Sequence, residues 1–407
     1  MHDPSTGRQP PPADPRIPVT LITGYLGAGK TTVLNRLLAT AEAGRVAVIV
    51  NEIGEIGEIG LDHDLVSETT EEMVLMQSGC LCCSVRGDLV ATLADLGRRR
   101  ADGQLAFDRV VIETTGLADP APIQHTLLLD HAVAGQFLLD GVVTVVCAAT
   151  GMPTLDAGFE AVTQVAAADL ILLTKADLAA PLALAALEAR LARLNPAARR
   201  LRAEHGRMTA GALFDLGALR GDVTPEQAHG WAGLAAAAEL RPGTVSGLST
   251  NLVVTDAARG AMPDSLTGLL QPQAPKRPAT PPAARHDARI TSLAATLDAP
   301  VSSELFGLWL ESLVWLNGPN ILRFKAIVHT TDDPHPFAVH GVQHIFHPPV
   351  PLPHWPSDDR TSRFVLIGRD LDPALLEDSL GFLRTGFGAP DDPDARVVLH
   401  TLDDTPP

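Results

Sequence analysis

The sequence predicts an α/β domain followed by a smaller α+β domain. A chain of 407 residues is longer than one average domain, so two domains are expected. In the first half, three apolar, β-rich runs each end in a loop that carries glycine or charged residues (residues 19–23, 109–113 and 169–174). After a proline-rich stretch, strand and helix patterns follow one another in the order β-α-β-β-α-β.

The composition excludes several classes of protein. The hydrophobic content of 45% is enough for packed cores, and no apolar run approaches the roughly 18 residues that span a bilayer. Residues 1–16 are polar and proline-rich, so we expect a disordered tail and no secretion signal. The net charge of −17 disfavours a nucleic-acid partner. We therefore expect a cytoplasmic protein with no membrane partner, in which clustered cysteines indicate metal or redox chemistry rather than disulfides.

The first apolar run, VTLIT, leads into the glycine-rich loop GYLGAGKTT and then a helix-like pattern. The loop has the spacing G-x-x-x-x-G-K-T, in which glycines let backbone N–H groups curl around phosphate oxygens. Lys30 is expected to reach the β and γ phosphates, and the Thr31 hydroxyl to bind Mg²⁺. The alternative is an ordinary glycine turn before a helix, but the spacing favours a nucleotide site. The predicted nucleotide-binding residues of this loop are Gly24, Gly27, Gly29, Lys30, Thr31 and Thr32.

The second run, RVVIE, ends at Glu113, and a glycine follows at Gly116. At this place P-loop proteins hold Mg²⁺ through a carboxylate and contact the γ phosphate through a glycine N–H. We therefore predict Lys30, Glu113 and Gly116 as the catalytic residues. The next residue is Leu117 rather than a water-orienting glutamine, so we expect unassisted hydrolysis to be slow.

The third run ends in Thr174, Lys175, Ala176 and Asp177, the pattern N/T-K-x-D that recognises guanine. The aspartate accepts hydrogen bonds from N1–H and the exocyclic amine of the base, and the lysine stem lies along the ring. The chain has only four lysines, at positions 30, 175, 276 and 325, so a lysine indicates a place that requires a compact ammonium. The alternative, a strand end with a helix cap at Asp177, leaves Lys175 unexplained.

Three of the four cysteines lie within four positions of the stretch GCLCCSV, at Cys80, Cys82 and Cys83. Adjacent thiolates on a turn can converge on one soft or borderline metal ion. Three thiolates leave an exchangeable position, which suits transfer of a metal better than a structural zinc with four protein ligands. The alternative is a helix-start turn with incidental cysteines. Cys147, inside the apolar run GVVTVVCAA, is interpreted as a core residue.

Together the motifs GYLGAGKTT, NEIGE with a following LD, GCLCC, ETTGLADP and TKAD resemble the CobW-like family of P-loop GTPases, the zinc and cobalt metallochaperone GTPases. The resemblance implies a GTPase domain with a mainly parallel sheet and a small α+β domain after it. It also implies a monomer or nucleotide-dependent dimer that uses GTP, Mg²⁺ and Zn²⁺ or Co²⁺ and delivers metal to a client metalloprotein. The family's C-x-C-C ligands correspond to Cys80, Cys82 and Cys83, and its Mg²⁺ ligands to Thr31, Asp62 and Glu113.

Three functions remain open on the sequence. The first is a GTP-hydrolysing metallochaperone that binds Zn²⁺ at the C-x-C-C motif and transfers it to a client. The second is a cobalt carrier for cobalamin synthesis or nitrile hydratase maturation. The third is a signalling or assembly GTPase whose cysteines hold a purely structural zinc. The sequence does not name the client.

The predicted domains are a GTPase domain at 17–240, a proline-rich linker at 241–288 and a C-terminal domain at 289–402. A strand near 199–203 is expected to close the first sheet. In the second domain, the strands ARITSLAATLD, RFKAIVHT and FAVHGVQHIFH, the strand RFVLIGRDLD and two helices fit a ferredoxin-like unit if ARVVLH is its last strand. On one extended strand, His340 and His344 would share a face about 13 Å apart and His347 would point the other way, so no shared metal site is expected.

Overall fold

The structure, a computed structural model, describes residues 14–40, 44–52, 73–77, 84–203, 210–217, 289–352, 354–355, 360–385 and 397–401. Asp62, Cys80, Cys82, Cys83 and the predicted linker lie outside these ranges. Within them, no helix has both the length and the apolar character needed to cross a membrane.

The first domain is built on a parallel sheet that contains seven strands among the described residues. These strands are β1 (Ile17–Thr23), β2 (Val46–Glu52), β3 (Met73–Gln77), β4 (Arg109–Glu113), β5 (Phe137–Cys147), β6 (Leu170–Thr174) and β7 (Arg199–Arg202). Their order across the sheet is β3-β2-β4-β1-β5-β6-β7, and every neighbouring pair runs parallel. The mainly parallel sheet and the closing strand β7 are therefore confirmed.

Helices cover both faces of this sheet. They are α1 (Lys30–Leu38), α2 (Ser84–Ala101), α3 (Ala121–Leu129), α4 (His131–Ala134), α5 (Gly151–Ala157), α6 (Phe159–Ala166) and α7 (Pro181–Leu194). Leu34 of α1 packs in the core on one face of the sheet, and Leu93 of α2 packs in the core on the other. Every residue of β1 and β5 is buried, which explains their nearly continuous apolar sequence. Because the strands are parallel, the carboxyl ends of β1, β4 and β6 meet at one edge of the sheet, where α/β proteins place their ligands.

The second domain has an antiparallel sheet with two helices. Its elements are β8 (Ile290–Leu297), α8 (Ser303–Asn317), β9 (Ile321–Val328), β10 (Phe337–Val342), β11 (Ile345–Phe346), β12 (Val350–Pro351), β13 (Ser362–Arg369), α9 (Pro373–Thr385) and β14 (Val397–Thr401). The strand order is β11-β10-β9-β13-β8-β14, with β12 on β10. The four strands β14-β8-β13-β9 and helices α8 and α9 form the expected ferredoxin-like unit, with Val397–Thr401 as the last strand. Its third strand is β13, and β10 to β12 extend the sheet beyond β9.

The histidine-rich segment differs from the sequence prediction of one extended strand. The chain turns back after Val342, with Gln343 in the left-handed region at φ 55°, and Val342 pairs with Ile345. This turn places His347 opposite His340, and their rings stack with centroids 4.9 Å apart. The prediction that His347 points away from His340 is therefore wrong. No group of three or more histidine, cysteine or acidic side chains suited to a metal occurs among the described residues.

A buried cluster of charges joins the two domains. Asp169, just before β6, contacts the guanidinium group of Arg323 and lies 2.8 Å from the ammonium of Lys325, both on β9. Each of the two cationic side chains is 1% exposed. Gln124 of α3 accepts a 3.4 Å hydrogen bond from Arg323. The carboxylate of Asp169 also accepts a 2.9 Å hydrogen bond from the backbone N–H of Val142.

Burial shifts the pKa values in this cluster. Burial raises the pKa of Asp169, but Arg323 and Lys325 together outweigh it and hold that pKa below its ordinary value. Burial lowers the pKa of Lys325 from 10.5 to about 8, against the attraction of Asp169. Burial, with the positive charge of Arg323, lowers the pKa of His347 to about 3, so its ring is neutral at pH 7. The carboxylate of Asp169 therefore contacts two buried cations.

Candidate nucleotide-binding site

The loop between β1 and α1 has the backbone that its glycines predict. Gly27 and Gly29 lie in the left-handed region, with φ 70° and 98°. Gly24 has φ 140°, and a Cβ there would lie 2.2 Å from the carbonyl oxygen of Val145 on β5. A side chain at Gly24 would therefore push the loop away from the sheet. The loop then leads directly into α1, whose first residue is Lys30.

The ammonium of Lys30 bonds to the same loop from its inner side. Its Nζ donates to the carbonyl oxygen of Gly24 at 2.9 Å and contacts that of Tyr25 at 3.4 Å. The side chain is 9% exposed, so most of its stem is covered by the loop. A phosphate oxygen is a stronger partner for an ammonium than a neutral carbonyl, so this arrangement favours an anion in the loop.

Two predicted Mg²⁺ ligands lie together. Thr31 donates a 2.8 Å hydrogen bond from Oγ1 to Oε1 of Glu113, across 82 residues of sequence. Glu113 is 5% exposed at the end of β4, and Thr32 is exposed one residue further along α1. Hydroxyl and carboxylate oxygens are the ligands that Mg²⁺ prefers, so the pair fits this ion.

The Gly116 loop lies against the phosphate-binding loop. A Cβ on Gly116 would lie 2.7 Å from the backbone nitrogen of Leu26, so only glycine allows this approach. Leu117 is 48% exposed next to it. On the other side, the buried side chain of Gln164 donates hydrogen bonds to the carbonyl oxygens of Gly116 and Ala118. Gln164 is not among the residues that the sequence predicts, because one glutamine in a helical run carries no motif.

The predicted guanine-recognition residues lie beside the same loop. Thr174 donates a 2.6 Å hydrogen bond to the carbonyl oxygen of Ala28. Lys175, with φ 54°, extends its ammonium to 3.0 Å from the carbonyl oxygen of Gly27. Asp177 is exposed within a short 3₁₀ helix whose N-cap is Lys175, whereas the N-cap of α7 is Ala180. Asp177 is therefore not the cap of either helix, which removes the alternative explanation for this motif.

The sequence-predicted metal ligands are only partly described. Cys80, Cys82, Cys83 and Asp62 lie outside the described residues. Cys147 is a free, buried cysteine at the end of β5, as its apolar sequence context predicts.

The fold and the site together define a P-loop nucleotide-binding protein. A family model described as "CobW/HypB/UreG, nucleotide-binding domain" matches residues 18–202, and one described as "Cobalamin synthesis protein cobW C-terminal domain" matches residues 290–383. The chain belongs to the CobW/HypB/UreG family, and the resemblance seen in the sequence is confirmed.

Several relatives carry functional names. The chain is 30% identical over 368 residues to the zinc chaperone YjiA of Escherichia coli, covering 90% of this chain and 99% of the relative. It is 36% identical over 196 residues to the zinc-regulated GTPase metalloprotein activator 1 of Schizosaccharomyces pombe, covering 47% of each chain. The crystal structure of Zn(II)-bound YjiA GTPase from E. coli is similar with a TM-score of 0.60 and 26% identity, over 91% of this chain and 99% of that one.

Proposed function

We propose that this protein is a GTP-hydrolysing metallochaperone that binds Zn²⁺ at Cys80, Cys82 and Cys83 and transfers it to a client protein. One observation carries the proposal: the residues of a nucleotide site are assembled in a chain that is similar to a zinc chaperone over 99% of that relative's length. The similar crystal structure is of a Zn(II)-bound GTPase.

The phosphates of GTP bind in the loop between β1 and α1. Backbone N–H groups of Gly24, Gly27 and Gly29 face the phosphate oxygens, and the N-terminus of α1 adds a favourable dipole. The ammonium of Lys30 exchanges its contacts with two loop carbonyls for the β and γ phosphates. The exposed Thr32 hydroxyl contacts the phosphate nearest the nucleoside.

Thr31 and Glu113 hold Mg²⁺, with Asp62 as a further ligand. When bound, Mg²⁺ neutralises charge that develops on the β and γ phosphate oxygens during phosphoryl transfer. Gly116 contributes its backbone N–H to the γ phosphate. Leu117 offers no group that orients water, so basal hydrolysis is slow.

Guanine binds against the segment that follows β6. Asp177 accepts hydrogen bonds from N1–H and the exocyclic amine of the base, and the stem of Lys175 covers the ring. Thr174 holds this segment on the phosphate-binding loop through its bond to Ala28. Base and phosphates are therefore bound by two loops that are bonded to each other.

The cysteines are connected to the same edge of the sheet. Residues 78–83 join Gln77, the last residue of β3, to Ser84, the first of α2. Only β2 separates β3 from β4, so the carboxyl ends of β3 and β4 are about 10 Å apart. The γ phosphate of a GTPase orders loops at this edge. We therefore expect the metal affinity of Cys80, Cys82 and Cys83 to depend on the bound nucleotide.

Competition titration of Zn²⁺ against a chromophoric chelator tests the proposal. The titration is made with a non-hydrolysable GTP analogue, with GDP and without nucleotide. We expect the affinities to differ by roughly 5- to 150-fold between the GTP and GDP states, and linkage requires Zn²⁺ to alter GTP affinity by the same factor. Equal affinities in all three states would contradict the carrier mechanism and favour a structural zinc.

Cysteine variants identify the ligands. Changing Cys82 and Cys83 together to serine should abolish high-affinity Zn²⁺ binding. Cys147→Ala is the matched control, because Cys147 is a free cysteine buried in β5. Retained affinity after the double change would remove the motif from the site. The same titration with Co²⁺ tests the cobalt carrier. For that function, the affinity for Co²⁺ rather than for Zn²⁺ must depend on the bound nucleotide.

Three properties stay predictions. These are the cytoplasmic location, the oligomeric state (monomer or nucleotide-dependent dimer) and the domain boundaries at 17–240 and 289–402. Sedimentation of the protein with GDP and with the GTP analogue tests the oligomeric state directly.

A further inference from the structure

The side chain of Gln164 joins α6 to the Gly116 loop across 48 residues of sequence. Its Nε2 donates a 3.1 Å hydrogen bond to the carbonyl oxygen of Gly116 and a 3.0 Å bond to that of Ala118. The residue is 1% exposed, so water does not compete for these bonds. Its own backbone carbonyl accepts a 2.7 Å hydrogen bond from Thr144 of β5, which ties this turn of α6 to the central sheet.

The orientation of the amide group is determined by its neighbours. Both partners are carbonyl oxygens, which only accept hydrogen bonds, so the NH₂ end of the side chain must face the loop. Both amide hydrogens of Gln164 then take part in these two hydrogen bonds. The Oε1 atom is buried and has no hydrogen-bond partner among the described residues. Such an atom costs stability, so the packing of the core does not explain why this position carries an amide.

The two bonds determine how the backbone of the loop is oriented. A trans peptide group is planar and its C=O and N–H point in opposite directions. The bond from Gln164 to the Gly116 carbonyl therefore sets the direction of the Leu117 N–H, away from α6. The preceding peptide group is set by a 3.2 Å bond from the N–H of Ala118 to the carbonyl oxygen of Thr115. Both peptide groups that flank Gly116 are thus oriented by hydrogen bonds within the protein.

We propose that Gln164 is a positioning residue for GTP hydrolysis, which holds in place, through the carbonyl oxygens of Gly116 and Ala118, the loop whose Gly116 N–H contacts the γ phosphate. The proposal rests on the proposed contact of Gly116 with the γ phosphate. Preoriented donors stabilise developing charge without a reorganisation cost during the reaction. Gln164 does not touch the nucleotide itself, so it acts through the loop.

Replacement of Gln164 by methionine removes both donors and keeps a similar length and volume. We expect kcat for GTP hydrolysis to fall roughly 10- to 100-fold, less than when a donor is deleted outright. The affinity for GDP should stay within about twofold, because the β phosphate and the base are bound by other loops. Single-turnover hydrolysis and GDP titration on the full chain measure the two quantities.

Asn195→Leu is the matched control for a loss of stability alone. Asn195 is also fully buried, and its amide donates to the carbonyl oxygens of Val165, Ala166 and Ala168, at the same carboxyl end of α6 as Gln164. It has no bond to the Gly116 loop. We expect both variants to unfold at lower temperature, but only Gln164→Met to lose hydrolysis. Equal loss of hydrolysis in both variants would overturn the positioning role.

A carboxyl group at this position gives a second test. In Gln164→Glu, the ionised group repels the two carbonyls, whereas the protonated group can donate one hydrogen bond to the loop. Burial and the facing carbonyls raise the pKa of such a carboxyl. The ratio of its kcat to that of the wild type should therefore rise as the pH falls, while the ratio for Gln164→Met stays flat. If the kcat ratios of both variants are independent of pH, the proposal is contradicted.

Gly116→Ala separates this inference from the proposed function. A Cβ at Gly116 meets the backbone of Leu26, so the loop must move and hydrolysis should be lost. If Gly116→Ala hydrolyses GTP normally, the role of Gly116 is wrong and the role of Gln164 fails with it. If Gly116→Ala is inactive and Gln164→Met is normal, only the role of Gln164 is overturned.

Discussion

Neutralising Asp169 should destabilise the whole protein, because this carboxylate compensates two buried cations of the other domain. In Asp169→Asn the shape of the side chain is kept, and its remaining carbonyl oxygen can still accept from Val142. The negative charge between Arg323 and Lys325 is lost. Both cations stay buried, each 1% exposed, after the carboxylate that contacts them has been neutralised.

The expected loss in the free energy of unfolding follows from the burial of these two cations. Removal of one partner from a buried ion pair costs about 3–5 kcal/mol, mainly through the desolvated charge that remains. For domains of this size, a loss of that magnitude lowers the melting temperature by roughly 6–20 °C. The loss should become smaller near pH 9, because Lys325, whose pKa is already lowered to about 8, can release its proton there.

Differential scanning fluorimetry at pH 7 and pH 9 measures the effect, and Asp370→Asn is the matched control. Asp370 pairs with Arg289 at the surface, where the two side chains are 48% and 56% exposed. Exposed pairs contribute about 0–1 kcal/mol, so the control should melt within a few degrees of the wild type. A combined change of Asp169, Arg323 and Lys325 to apolar residues of similar volume should recover much of the stability.

Equal melting temperatures for Asp169→Asn and Asp370→Asn would refute the role of Asp169 in compensating buried charge. The Asp169 cluster would then be hydrated in solution, and the two domains would be held together by other contacts. If Asp169→Asn lowers the melting temperature equally at pH 7 and pH 9, the buried charge cluster is supported, but Lys325 is not the group that releases a proton.

Three further predictions concern single residues. Lys30→Ala should abolish nucleotide binding in titration with a fluorescent GTP analogue, and retained binding would contradict its contact with the phosphates. Asp177→Asn should shift preference from guanosine to xanthosine nucleotides, whereas equal affinity of the wild type for ATP and GTP would disprove base recognition. The pKa of Lys325 is lowered from 10.5 to about 8, so the unfolded chain binds more protons between these pH values. The free energy of unfolding of the wild type should therefore rise with pH across this window relative to that of Lys325→Met, by up to about 3 kcal/mol. Urea unfolding measures both values, and a difference that does not change with pH would contradict the burial of a charged lysine.

The sequence predicts those parts of the site in which chemistry and backbone geometry lie in one short stretch. In the phosphate-binding loop, the positions of Gly24 and Gly29 determine where the chain can turn, and Lys30 follows at a fixed distance. The same holds for Thr174 and Lys175 at the end of β6. A parallel sheet then brings these motifs together, because the carboxyl ends of all its strands lie at one edge.

Contacts between distant residues leave no such pattern. Gln164 meets the Gly116 loop only because α6 packs beside it, and nothing in the residues around Gln164 encodes that neighbour. The turn at Gln343 is equally hidden, because it lacks the Asn-Gly or Asp-Gly pair that marks tight hairpins. Lys325, by contrast, does carry a signal in the sequence. Lysine is rare in this chain, and Lys325 is one of the four, in the centre of the interface.

Helix α3 connects the Gly116 loop to the C-terminal domain. Just before this helix, Asp119 accepts a 2.9 Å hydrogen bond from the N–H of Ala121, the first residue of α3. One turn later, His125 contacts the carbonyl oxygen of Val342 at 3.3 Å, and its ring lies 5.5 Å from that of His344. If the γ phosphate shifts the Gly116 loop and α3 as a unit, these contacts must break or the hairpin must move with the helix.

Hydrogen exchange of the backbone amides of β10 should therefore differ between the protein with a GTP analogue and the protein with GDP. The amides of α9, which packs on α8, are the internal control and should not respond. His125→Ala removes the contact and should reduce the difference in β10, while the Gly116 loop still responds to nucleotide. Identical exchange of β10 in both states, with a responding Gly116 loop, would show that the motion stops within α3. The C-terminal domain would then be a rigid support for the GTPase domain and not a part of the switch.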